Sequence, residues 1–258
     1  MSGVTINGKK YDSIEDYMEE INPIIVEPEH IEDWDYVTES DGTITLNGYK
    51  GSDKKVVIPN YINGIPVKKL GFVFHNSTGH TNVTKLGTFW DPSICKGGLD
   101  VYWYIQNDIT DLVISNGIET IGKFSFFHSE ALTKVVIPKS VKTIDNNAFS
   151  NCTALTDITI PDSVTSIGNS VFSSCTALTE ITIPDSVASI GDYAFNGCAA
   201  LTDITIPSSV IAMGEGVFGG IPSITVHVPW KEGEKPDGWD DKWNSTSSNC
   251  KIKVVYAE

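Results

Sequence analysis

Hydrophobic and polar positions in the C-terminal half of the chain follow one template, written five times. It reads clearly in LTDITIPDSVTSIGNSVFSSCTA, residues 155–177. A leucine leads two isoleucines alternating with polar residues; then come proline, a valine and an isoleucine three apart, glycine, phenylalanine and cysteine. Units begin at Ile109, Leu132, Leu155, Leu178 and Leu201, each 23 residues after the last, and a truncated unit follows at Ile224. A fixed period of this kind predicts a solenoid, because no single unit can bury its apolar face and stacking must supply the core.

Each column of the repeat then becomes a ladder. Ile158 and Ile160 alternate with Asp157 and Thr159, the period-two pattern of a half-buried strand. Pro138, Pro161, Pro184 and Pro207 close these strands where no further ladder hydrogen bond is required. Val164 and Ile167 point inward again. The column Gly122, Asp145, Gly168, Gly191, Gly214 then suggests a corner with positive φ, since Asp is among the few other residues that tolerate it. Phe126, Phe149, Phe172, Phe195 and Phe218 should form a stacked spine at rung spacing. Cys152, Cys175 and Cys198 make a parallel column, which suits a small buried hydrophobe better than a metal or disulfide site.

The pattern L-x-x-I-x-I-P-x-x-V-x-x-I-G-x-x-A/V-F-x-x-C resembles the BspA-like, or Treponema-type, leucine-rich repeat family over residues 109–229. Residues 48–74 are similar to that family's opening repeat, with an extra loop between Pro59 and Val67. The resemblance implies a β-rich leucine-rich-repeat solenoid, right-handed, with a parallel concave sheet and N- and C-terminal caps. It also implies a bacterial or protist surface protein that binds other proteins, and it brings no catalytic residues.

Three segments depart from the repeat. Residues 1–40 read as an N-terminal cap or attachment segment: VTINGKKY as a hairpin about Asn7-Gly8, DSIEDYMEEI as a short helix. GTITLNG, from Gly42, is a candidate for the edge strand. Within the solenoid of residues 41–229, an irregular insertion at 76–108 concentrates Phe89, Trp90, Tyr102, Trp103 and Tyr104. These aromatics either fill the space left by a broken rung or serve as contacts for a protein or a sugar. Residues 230–258 read as a C-terminal cap, with Trp230, Trp239 and Trp243 folded over the last rung and KIKVVY as a final edge strand guarded by lysines. Roughly eight or nine rungs result, counting caps, at the usual strand spacing.

Charge narrows the partners. The chain has 33 acids and 18 cations, a net charge of −15, and every cation is lysine. Such a surface repels phosphate backbones and anionic lipid and lacks the guanidinium fork, so nucleic acid and membrane insertion are poor expectations. No stretch has the length and apolarity of a transmembrane helix, and the first residues lack the layout of an export signal; localisation stays open between the surface implied by resemblance and the cell interior. The five cysteines are odd in number, against a complete disulfide framework.

Chemistry-bearing constellations are weak. His75, His80, Cys95 and His128 lack metal-ligand spacing, as do Asp237, Asp240 and Asp241 for calcium. No nucleophile elbow or phosphate loop appears. No enzyme activity and no cofactor are expected. What remains is the outward face of the repeat strands. One column reads Lys55, Asp111, Lys134, Asp157, Glu180, Asp203; its neighbour reads Val57, Val113, Val136, Thr159, Thr182, Thr205, then His227. From Thr143 to Trp230 there are eight acids and no lysine. The expected function is a protein-interaction or adhesion module whose ligand-binding residues are Asp157, Thr159, Glu180, Thr182, Asp203 and Thr205 on an acidic strip, with Trp90, Tyr102, Trp103 and Tyr104 of the insertion. The expected partner is a protein of cationic or neutral surface. The alternatives are a carbohydrate-binding module using those aromatics, and a structural part of a secreted or phage-like assembly.

Overall fold

A computed structural model describes residues 4–6, 9–11, 25–49, 51, 53–74, 109–245 and 251–257. The expected helix at residues 12–21 and the aromatic insertion lie outside these residues. Within them the chain is almost entirely short strands and turns, as a repeat of two β-branched stretches per unit dictates.

The N-terminal part opens with the hairpin β1 (Val4–Ile6) and β2 (Lys9–Tyr11), paired antiparallel with Ile6 opposite Lys9. A single 3-10 turn, Ile31–Asp33, leads into β3 (Trp34–Thr38), which runs antiparallel to β4 (Ile44–Tyr49). The GTITLNG segment is thus not the edge. β3 lies outside β4, seating Trp34 against Tyr49 at 4.7 Å between ring centroids. The next unit supplies β5 (Lys55–Ile58), β6 (Tyr61–Ile62) and β7 (Ile65–Phe74). The extra loop after Pro59 is a tight β6–β7 hairpin. Asn63 and Gly64, at φ 51° and 74°, form the left-handed pair that such a two-residue turn requires.

Each repeat then contributes two strand segments, except the unit from Leu178, which contributes only the second. The first ladder runs through β8 (Asp111–Ile114), β10 (Lys134–Val136), β12 (Asp157–Ile158), β15 (Asp203–Thr205), β17 (Ser223–His227) and β19 (Lys251–Val255). The second runs through β9 (Thr120–Ile121), β11 (Thr143–Ile144), β13 (Ser166–Ile167), β14 (Ser189–Ile190), β16 (Ala212–Met213) and β18 (Gly238–Trp239). Parallel registers such as Ile144↔Ile167 and Ile167↔Ile190 confirm the 23-residue step. Between the ladders a proline carbonyl accepts from the residue three on, Pro161 O from Val164 N at 3.0 Å, so the strand-closing proline starts a turn. In three units the serine two residues after the proline reaches back to the previous rung, as Ser186 Oγ does in donating to Val164 O at 2.7 Å.

The inferred corner at the glycine column is wrong. Gly168, Gly191 and Gly214 do not have positive φ. The left-handed residues are two positions later, Phe124, Asn147, Ser170, Tyr193 and Gly216, and again at His128, Asn151, Ser174, Gly197 and Gly220. Their N–H groups donate to the next rung, as Ser170 N does to Asp192 O at 2.8 Å. Glycine is needed for close approach instead. A Cβ on Gly168 would lie 2.7 Å from Asn146 Oδ1 and 2.8 Å from Asn146 N. That oxygen is occupied: Asn146 Oδ1 accepts from Asn169 N at 2.8 Å, Asn169 Oδ1 from Asp192 N at 3.1 Å, and Asp192 Oδ1 from Glu215 N at 2.9 Å. In the unit where this column holds Asp145, the preceding rung has Lys123 in the place of Asn146, Asn169 or Asp192. Asp145 Oδ1 itself caps Asn146 N at 2.7 Å.

The core is a set of stacked columns. The five phenylalanines stack at 5.2 to 6.0 Å with interplanar angles of 4° to 14°. Trp243 ends the spine edge-on to Phe218 at 6.2 Å. Trp239 stands in line after Met213, and its indole N–H donates to Val210 O at 3.0 Å. Trp230 meets Trp239 edge-on at 4.2 Å, so all three tail tryptophans pack at this end. Cys152, Cys175 and Cys198 are buried and free, each thiol donating to a carbonyl 26 residues earlier at 3.1 to 3.2 Å. Burial pushes the thiols up, that of Cys175 to about 12.

Candidate functional site

The second ladder is one continuous parallel path from β7 to β18. The first is divided: β5, β8, β10 and β12 form one sheet, and β15, β17 and β19 another. The rung at residues 178–183 belongs to neither. Among the described residues no backbone hydrogen bond joins it to residues 155–160 or 201–206. The expected acidic strip is therefore not a single uninterrupted sheet; it crosses this division.

The side chains on it lie where the alternation puts them. Ile158, Ile160, Ile181, Ile183, Ile204 and Ile206 are buried, while Asp157, Thr159, Glu180, Thr182, Asp203 and Thr205 are exposed. Three carboxylates at the same height on consecutive rungs repel. Two of them have a partner. Lys134 Nζ stands 2.6 Å from Asp157 Oδ2, and His227 Nε2 3.0 Å from Asp203 Oδ2, both across rungs. Glu180 has none among the described residues. The division thus falls where like charges stack.

Toward the N-terminal end the same column alternates in sign. Lys55 lies 3.7 Å from Asp111, and on the other ladder Glu119 sits between Lys68 at 2.9 Å and Lys142 at 3.3 Å. Those two hydrogen-bonded ammonium groups hold the Glu119 carboxyl below its ordinary range. The neutral column changes character as well, from Val57, Val113 and Val136 to Thr159, Thr182 and Thr205. The polar, negative half of the face begins at Asp157.

Other expected sites separate. Trp90, Tyr102, Trp103, Tyr104, His75, His80 and Cys95 lie outside the described residues; His128 pairs with Glu130 at 3.4 Å. Asp241 pairs with Lys235 at 3.1 Å, and Asp240 Oδ1 accepts from Lys242 N at 2.7 Å, so these carboxylates serve the tail's own turns. A cavity near the N-terminal end is lined by Trp34, Tyr49, Val56, Ile58, Ile109, Leu112, Phe126 and Leu132. Its only ionisable group is the Tyr49 hydroxyl, pushed up to about 12 by burial and by donation to Asp53 at 3.0 Å. Such walls offer no acid, base or nucleophile at neutral pH. No helix among the described residues is long and apolar enough to cross a membrane.

Residues 99–225 match the family model described as BspA type leucine rich repeat region, in six copies. No curated protein matches. Among solved structures, the chain resembles a leucine rich cell surface protein from Faecalibacterium prausnitzii A2-165 with 25% identity and a TM-score of 0.50; 76% of this chain and 53% of that one are covered. It thus spans about half the length of that relative. The leucine rich repeat protein of T. pallidum gives 23% identity and a TM-score of 0.54 over 74% of this chain and 87% of that one. The pneumococcal vaccine antigen PcpA gives 20% and 0.53 over 78% and 48%. The last two likenesses concern the fold alone.

Proposed function

Because residues 99–225 belong to the BspA-type leucine-rich repeat family, we propose that the chain is a non-enzymatic interaction module of the adhesion type, acting at a cell surface. The relative from Faecalibacterium prausnitzii is named as a cell surface protein, which supports this placement. The binding residues are Asp157, Thr159, Glu180, Thr182, Asp203 and Thr205, and the partner is a protein presenting a cationic segment. The observation that carries this reading is the exposed rank of carboxylates and threonines over consecutive rungs. Its centre, Glu180, has no neutralising partner among the described residues.

An extended cationic segment laid across the rungs would meet a carboxylate or a threonine hydroxyl at every step of about 4.8 Å. Attraction from exposed charges of this kind is screened over about 10 Å at moderate salt, so it governs encounter and salt dependence more than final affinity. Binding of an oligolysine peptide to the whole chain tests it. Affinity should rise as salt is lowered. The triple substitution Asp157→Asn, Glu180→Gln, Asp203→Asn should reduce it by about tenfold, the equivalent of about 1.4 kcal/mol. Unchanged affinity in the triple variant removes the strip as the site.

A further inference from the structure

The geometry points to a pH response built into this strip: when His227 is protonated it ties up Asp203, and the strip loses hold of a cationic partner. This inference rests on the strip being the binding face. His227 is the only residue between Thr143 and Trp230 able to become a cation near neutral pH. It sits on β17, one rung beyond Asp203, with Nε2 3.0 Å from Oδ2. Both side chains are partly open to solvent, at 40% and 62%, so protons reach them without unfolding.

The groups facing His227 come from two strands. From β15 they are Asp203 and Thr205, with Glu180 one rung further on. From β19 they are Val255 opposite it, Lys253 opposite Thr225 and Lys251 opposite Ser223. Among the described residues Asp203 is the only carboxylate within ion-pair distance of it. Neutral imidazole donates a hydrogen bond to the carboxylate and leaves the Asp203 charge in the strip. Imidazolium forms an ion pair through the same bond and cancels that charge locally.

The two ends of the strip then differ in kind. Asp157 is held by a lysine that stays charged, Asp203 by a histidine that does not. From Lys134 to His227 the strip carries two net negative charges with neutral imidazole and one with imidazolium. Ordinary carboxylates remain ionised at about pH 5.5, so over the range from about pH 8 down to that value the histidine is what changes.

Two measurements decide. Oligolysine affinity at low salt should fall by about three- to tenfold between about pH 8 and about pH 5.5, and His227→Gln should make it flat. A variant that keeps the full dependence overturns the inference. If the peptide binds at neither pH, the strip reading fails. The pair is then read alone by the Asp203 side-chain 13Cγ signal in NMR. It should move over the same pH range in the native chain and stay still in His227→Gln. A signal that does not move in the native chain overturns the pairing, whatever the peptide does.

Discussion

The two ladders of this solenoid are built from the same repeat, yet one is continuous and the other divided. On the second ladder the column that follows Lys69 is small and uncharged, Thr120, Thr143, Ser166, Ser189, Ala212 and Gly238, and the charges beside it, Lys68, Glu119 and Lys142, alternate in sign and pair. Its rungs are locked further by the Asn146–Asn169–Asp192 side-chain chain just beyond them. On the first ladder the outward positions carry charge, and hydrogen bonding lapses where three carboxylates follow one another. Shape is therefore secured by one face and the interior, which leaves the other face free to vary its side chains. In a stack whose units contact only their neighbours, that division of labour lets a binding surface change without loss of the fold.

The largest test of this comparison is in the interior that both faces share. Phe172 is fully buried between Phe149 and Phe195. Phe172→Ala should cost about 3–5 kcal/mol by urea unfolding, since the ring's neighbours on both rungs cannot collapse onto the space. A cost near zero would mean that the spine is not what joins the rungs. Next comes the second ladder's own lock. Gly191→Ala places a methyl 2.6 Å from Asn169 N and should cost about 1–3 kcal/mol, an overpacking effect, although glycine's backbone there is unstrained. If alanine is tolerated or stabilises, close approach is not why glycine stands in this column. Asn169→Ala removes the acceptor of Asp192 N without any clash and should cost about 1–2 kcal/mol. No change there would show that water replaces the carbonyl and that the chain of amides locks nothing.

The sequence revealed the interior columns and the outward strip because a 23-residue period aligns like with like, and burial follows from alternation. It misled at the glycine column. One aspartate among glycines fits either a left-handed backbone or a crowded one, and it is the backbone angles and the atoms of Asn146 beside Gly168 that separate the two. The second ladder was hidden because its segments, such as Ser166–Ile167, are too short to show alternation. β3 escaped because WDYVT lies in an acidic stretch that reads as a cap. Of the site, the exposed residues were legible and their partners were not. Lys134 and His227 stand in the right columns, but a column does not say that an ammonium bridges to Asp157 or an imidazole to Asp203.

The smallest expected effect separates the two ladders most sharply. If like charge is what parts the rungs of the first ladder, Glu180→Thr should close them. Removing one exposed carboxylate between two others is worth at most about 0.5 kcal/mol, because solvent screens such charges. Equilibrium unfolding will barely register it, and amide hydrogen exchange is the better reading. Protection at Thr179 to Thr182 should rise by about twofold, the ratio that about 0.5 kcal/mol gives in an opening equilibrium. The converse change, Ser189→Asp on the continuous ladder, puts one carboxylate between Ser166 and Ala212. With no like charge on the adjoining rungs at that height, it should leave exchange there unchanged. Should Glu180→Thr leave the amides as they were while Ser189→Asp exposes its own, charge would not be the cause. The division would then belong to the backbone path of the first ladder, and its side chains would only decorate it.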